Sequence, residues 1–132
     1  MSSRIGRRIT GEYERTLNST PVLQTTAAAL RHVRTLTFTD CVEGAIYEIK
    51  GSVELGNALA GQASNIEIRG NETPIMDAEF TPKIAGKYAP FIFLSPAFVA
   101  AASTISIKVY LSRVALGTAL MRRLETTLRR VF

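Results

Sequence analysis

Residues 44–55, GAIYEIKGSVEL, carry the clearest period in this 132-residue chain. Tyr47, Ile49, Gly51, Val53 and Leu55 occupy one side of a two-residue repeat, and Glu48, Lys50, Ser52 and Glu54 the other. Successive side chains of a strand point to opposite faces, so this is the pattern of a long strand with one face buried. Gly51 falls on the apolar side with nothing to fill space, which predicts a bend, a bulge or a large neighbour across the sheet at that point.

Shorter copies of the signal lie on both sides. Residues 34–40 place Leu36 and Phe38 inward and Thr35, Thr37 and Thr39 outward, with β-branched threonine at home on a solvated strand face. Residues 65–69 alternate Ile66 and Ile68 with Glu67 and Arg69, and Gly70-Asn71 closes them with a turn. Residues 75–80 are bounded by Pro74 and Pro82, which restricts them to a sheet edge or a strand end. Residues 91–94, FIFL, are apolar on both faces, predicting a strand covered on both sides, with a partner chain as one cover. Residues 104–111 complete the set with Ile105, Ile107, Val109 and Leu111 inward. Residues 22–32 read equally as a short helix or an extended crossing segment. Six or seven short strands separated by glycine and proline turns predict an all-β, antiparallel sandwich or barrel.

The two ends read differently. Residues 1–21 lack hydrophobic periodicity, and Arg4, Arg7, Arg8 and Arg15 alternate there with Ile5, Ile9 and Tyr13 among turn residues, predicting an extended arm that is ordered only on contact. From Thr118, Leu120, Met121, Leu124, Leu128 and Val131 recur at spacings of three and four, with Arg122, Arg123, Arg129 and Arg130 elsewhere. That spacing predicts an amphipathic helix within 115–132, buried against the sandwich, a neighbouring copy or a membrane surface. The expected division is arm 1–21, sandwich 22–114 and basic helix 115–132.

Composition narrows the function classes. Hydrophobic residues make up 46% and charged residues 20%, which excludes a disordered chain. No apolar run is long enough to span a bilayer, and no apolar stretch follows the basic start as a secretory signal would require. Cys41 is the one cysteine, so it can form no internal disulfide and suits a reducing compartment as a small buried hydrophobe. The net charge of +5 is unevenly spread: six arginines against Glu12 and Glu14 give +4 over residues 1–39, five cations against eight acids give −3 over 40–108, and five arginines against Glu125 give +4 over 109–132. Basic ends on a near-neutral to acidic body point to an anionic partner, either nucleic acid or an acidic protein surface.

Reactive groups are few. His32 and Cys41 could form a nucleophilic pair only with a third, orienting group that the sequence does not supply. No second histidine or cysteine completes a metal set, and GNALAG lacks the strand-to-helix context and following lysine of a phosphate loop. The expectation is a protein with no enzymatic activity, metal or cofactor.

LTFTDCVEGAIYEIKGSVELGN, followed by IEIRGN, AGKYAPFIFLSPAFVAA and STISIKVYL, resembles the tumour necrosis factor-like jelly-roll modules common in phage fibres and capsid decoration proteins. The resemblance covers residues 34–111 and implies a jelly roll, often trimeric, with a structural or adhesive role and no catalytic residues. The arm and the arginine-rich ending are not part of that module and favour a protein built into a larger particle. The resulting expectation is a virion structural protein of a bacteriophage, made in the host cytoplasm: a decoration, cement or minor subunit. It would form a homo-oligomer through Phe91, Phe93, Leu120, Leu124 and Leu128. It would dock on a major capsid or other virion protein through Arg4, Arg7, Arg8, Arg15, Arg122, Arg123, Arg129 and Arg130, without membrane contact. The alternative is a viral coat protein that uses the same arginines to neutralise nucleic-acid phosphates, with affinity falling steeply in salt. A carbohydrate- or receptor-binding head is a third reading, one for which the sequence offers no exposed aromatic cluster.

Overall fold

The computed structural model describes residues 14–131. Ten strands follow one another: β1 (Glu14–Ser19), β2 (Leu23–Thr25), β3 (Arg31–Phe38), β4 (Ile46–Asn57), β5 (Ser64–Gly70), β6 (Thr73–Phe80), β7 (Tyr88–Leu94), β8 (Phe98–Val99), β9 (Ile105–Arg113) and β10 (Ala119–Arg130). β1 and β2 pair with β10, β3 with β9, β4 with β7 and β5 with β6, all antiparallel, so the chain is one long ribbon whose first strand lies beside its last. The ribbon also folds across itself, pairing β10 with β4 and β9 with β5. The two resulting sheets have the orders β1-β10-β4-β7 and β3-β9-β5-β6, the nested arrangement of a jelly roll.

β4 takes the expected register. Tyr47, Ile49, Val53 and Leu55 are buried and meet Ile66 and Ile68 of β5, Ile107, Val109 and Leu111 of β9, and Met121, Leu124 and Leu128 of β10 in a single core. Full burial of each such aliphatic side chain contributes about 1.5–3 kcal/mol. The void left by Gly51 is filled as its position requires: Phe93, its register partner on β7, lies against it. On the other side β10 bulges between Arg122 and Glu125, where Arg123 adopts a positive φ of 53°.

That bulge overturns the expected C-terminal helix. Ala119 and Met121 face inward, the extra residue shifts the alternation by one, and Leu124, Thr126 and Leu128 then face inward. Met121, Leu124 and Leu128 thereby acquire helical spacing within an extended strand, because the inward position between the two leucines is taken by a buried threonine. Among the described residues there is no helix, and the ambiguous segment is neither helix nor one extended crossing: residues 23–25 are a short strand, 26–30 a bent loop, and β3 begins at Arg31. The expected arm is also shortened, since Glu14–Ser19 is a paired edge strand. Its remainder, with Arg4, Arg7 and Arg8, lies outside the described residues.

Candidate interaction surfaces

The arginines of β10 are engaged within the chain. The register places Arg122 beside Glu54 and Arg129 beside Glu48 on the outer face of the sheet. Arg122 Nε donates to Glu54 Oε1 at 2.7 Å, Arg123 Nη1 donates to Glu54 Oε2 at 3.3 Å, and Arg129 Nη2 lies 2.8 Å from Glu48 Oε1. The Arg122 guanidinium also stacks 3.9 Å above the Tyr88 ring. The hydrogen bond from Arg122 holds the Glu54 carboxyl below its ordinary range against a desolvation that raises it, with the Arg123 charge assisting. Arg15 points the other way, over the rim of the core: its guanidinium donates to Thr39 O, approaches Cys41 Sγ at 3.4 Å and lies 5.9 Å from the Phe38 ring centroid. Of the eight arginines expected to bind a partner, Arg122 and Arg123 share one carboxylate, Arg129 and Arg130 lie at the far end of the strand, Arg15 reaches over the core rim, and Arg4, Arg7 and Arg8 lie outside the described residues.

The residues expected at an oligomer contact are differently disposed. Leu124 and Leu128 belong to the core, Phe93 fills the space over Gly51, and Phe91 packs partly against the core. Leu120 is half-buried. The exposed members of the FIFL strand are the alternate residues, Ile92 at 84% and Leu94 at 63% exposure, aligned with Ser52 and Lys50 on the outer face. Val99 of β8, paired with Ile46, extends this aliphatic row along the same side and is 60% exposed. The chain covers only one face of β7, and β7 is an edge strand whose other side pairs with no described strand. Periodicity could not choose between faces because the run is apolar on both. The partial signal lay on β4, where a large neighbour was one of the three readings of Gly51, and the structure seats Phe93 there, inward, with Ile92 outward.

The outer face of the second sheet is polar. Tyr110 sits between His32, at 5.4 Å between ring centroids, and Arg69, whose guanidinium lies 4.5 Å from the ring centroid. Arg69 pairs with Glu67 at 2.7 Å and Lys108 with Glu72 at 2.5 Å, and Lys108 draws the Glu72 carboxyl below its ordinary value. His32 at the start of β3 shares a 2.6 Å hydrogen bond with Thr35 Oγ1, whereas Cys41 is buried beyond the strand's other end. An eight-residue strand spans roughly 26 Å, so the two do not form a nucleophilic pair. Among the described residues no group of three or more histidine, cysteine or acidic side chains is placed to hold a metal ion.

No protein-family model and no curated protein sequence matches the chain. Several solved structures share its fold. The C-terminal domain of EclA, described as a sugar-binding protein, superposes with a TM-score of 0.55 at 18% identity, over 82% of this chain and 78% of that one. A dimeric latent PorU from Porphyromonas gingivalis reaches 0.58 at 13% identity, over 89% of this chain and 13% of its own. The VP2 protein of infectious bursal disease virus, in particles derived from a D431N mutant, reaches 0.54 at 8% identity, over 89% of this chain and 32% of the viral one. At these identities the likeness is one of fold: an antiparallel β-sandwich found in viral particle proteins and in other settings.

Proposed function

We propose that this protein is a non-enzymatic structural subunit of a virion that assembles with copies of itself and with another particle protein by contact area alone. The observation that carries the reading is the row of Ile92, Leu94 and Val99 on the outer face at the β7 edge. Pro90 blunts the first half of this edge strand, and the exposed aliphatics lie past it, where a monomer ordinarily carries charge. The jelly roll shared with a viral particle protein, and the sequence resemblance to phage decoration and fibre modules, support the same role. A contact of Arg4, Arg7 and Arg8 with an acidic partner rests on their charge in the sequence alone. A nucleic-acid coat has less support, because Arg122, Arg123 and Arg129 already share strand carboxylates.

Light scattering coupled to size-exclusion chromatography tests the reading on the full chain. The wild type should run as a closed oligomer, and Ile92→Glu/Leu94→Glu as a monomer with an unchanged far-ultraviolet circular dichroism spectrum. A wild type that runs as a monomer, or an Ile92→Glu/Leu94→Glu variant that runs as the same oligomer, would overturn it.

A further inference from the structure

One end of the sandwich differs in composition from the rest of the molecule. Residues 26–30, 58–63, 81–87 and 114–118 meet there and are tied to one another through the backbone. Arg113 N–H donates to Ala27 O at 2.9 Å, Val114 N–H to Ala63 O at 3.0 Å, Gly61 N–H to Pro82 O at 2.8 Å, Ala58 N–H to Thr118 O at 3.0 Å and Gly86 N–H to Asn57 O at 2.9 Å. Below them the buried Asn57 side chain accepts from Leu59 N–H at 2.9 Å and donates to Ser64 Oγ at 3.0 Å. The loops are therefore held as one surface.

What this surface presents is apolar. Leu59, Ile84, Val114 and Leu116 project from three different loops at 47%, 61%, 47% and 58% exposure. Exposed alanines such as Ala60, Ala85 and Ala115 fill the intervals. None of the four loops contains an acidic residue, and their charges are two exposed lysines, Lys83 and Lys87, on either side of Ile84. Leu30 stands apart, because it borders a recess with Asp77 and Glu79 on the second sheet's outer face. The opposite end of the sandwich carries exposed Asp40, Glu43 and Glu72.

We infer that this end is a docking surface for an anionic lipid bilayer, entered by Leu59, Ile84, Val114 and Leu116 with Lys83 and Lys87 at the headgroups. Aliphatic tips reach the acyl boundary while lysine stems lie along it and keep their ammonium groups at the phosphates. With no acidic residue in the four loops and Lys83 and Lys87 beside the apolar tips, the surface is complementary in charge to anionic headgroups. Asp77 and Glu79 border the recess at Leu30, which keeps Leu30 out of the set of residues that enter the bilayer. The attachment is interfacial. The expectation of no membrane contact rested on the lack of a spanning segment, and none is needed here.

Sedimentation of the full chain with vesicles of phosphatidylcholine, alone or with about a third phosphatidylserine, tests this. The wild type should pellet with the anionic vesicles at low salt. Ile84→Glu/Leu116→Glu should remain in the supernatant, and Lys83→Ala/Lys87→Ala should lower the partition coefficient roughly thirtyfold. Leu30→Glu and the arm variant Arg4→Glu/Arg7→Glu/Arg8→Glu should pellet as the wild type does. A wild type that ignores both vesicle types, an Ile84→Glu/Leu116→Glu variant that still pellets, or binding lost in the arm variant would each overturn the assignment. So would an oligomer that Ile84→Glu/Leu116→Glu dissociates while vesicles bind nothing, which would make this end a protein contact. Ile92 and Leu94 lie on another face, so the vesicle result and the self-association result fail independently.

Discussion

The ring of Phe93 lies against the bare backbone of Gly51, its register partner on the neighbouring strand. A methyl group at position 51 would fall on Phe93 Cζ and on the carbonyl oxygen of Glu125. The ring can turn aside, but the carbonyl belongs to the bulged backbone of β10. Gly51→Ala should therefore cost about 2–3 kcal/mol by overpacking, read as a fall in the urea midpoint. Adding Phe93→Leu should recover only part of that loss, because the Glu125 carbonyl stays in place.

Two adjacent buried threonines on β10 should respond in opposite ways. The Thr126 hydroxyl faces the core and has no hydrogen-bond partner, while Thr127 Oγ1 shares a 2.8 Å hydrogen bond with Thr16 Oγ1 across to β1. Thr126→Val keeps the shape and removes an unsatisfied polar group, so it should stabilise the fold by about 1 kcal/mol. Thr127→Val should destabilise it by no more than about 1 kcal/mol, since it removes one hydrogen bond but leaves the exposed Thr16 hydroxyl to water. Thermal unfolding of the two variants side by side checks both signs.

Acid should loosen the β4–β10 seam. Glu54 titrates below its ordinary 4.5 in the folded protein, chiefly through the Arg122 hydrogen bond. A depressed carboxylate contributes its full stability above the unfolded value and loses that contribution as pH falls through the lowered folded value. Glu54→Gln should flatten this part of the acid limb in urea midpoints taken from about pH 6 down to about pH 3. At neutral pH the same change should cost no more than about 1 kcal/mol, because the pairs are partly open to solvent.

Asn57 anchors the apolar loop end from below. Asn57→Ala leaves the part-buried Leu59 N–H without its acceptor and removes one hydrogen bond from the buried Ser64 Oγ, which still donates to Gly56 O. A loss of about 1–2 kcal/mol is expected. Amide exchange should accelerate first in residues 58–63 and 114–118, ahead of β9 and β5.

The central strand was legible because a half-buried strand writes its burial into every second residue, and β4, β5 and β9 do so without interruption. β10 was not. A one-residue bulge moves the inward set from Met121 to Leu124, and a threonine occupies the next inward site, so the apolar residues imitate a helical stripe. β7 was half legible: FIFL announces a strand, but a run apolar on both faces does not say which face the chain itself covers. The arginines misled for a different reason, since composition counts charges without showing that Glu54 and Glu48 lie across the ladder from them.

Taken alone, the sequence determined an all-β body, the inward face of β4, and a bend, a bulge or a bulky neighbour at Gly51. Tertiary structure alone decided that the last twelve-residue strand lies beside the first, that Ile92 and Leu94 face outward, and that residues 26–30, 58–63, 81–87 and 114–118 share one end. The physical reason is range. Alternation and turn chemistry are set by neighbours in the chain, whereas pairing partners, charge neutralisation and the clustering of loops depend on residues as far apart as Glu14 and Arg129 meeting across a sheet.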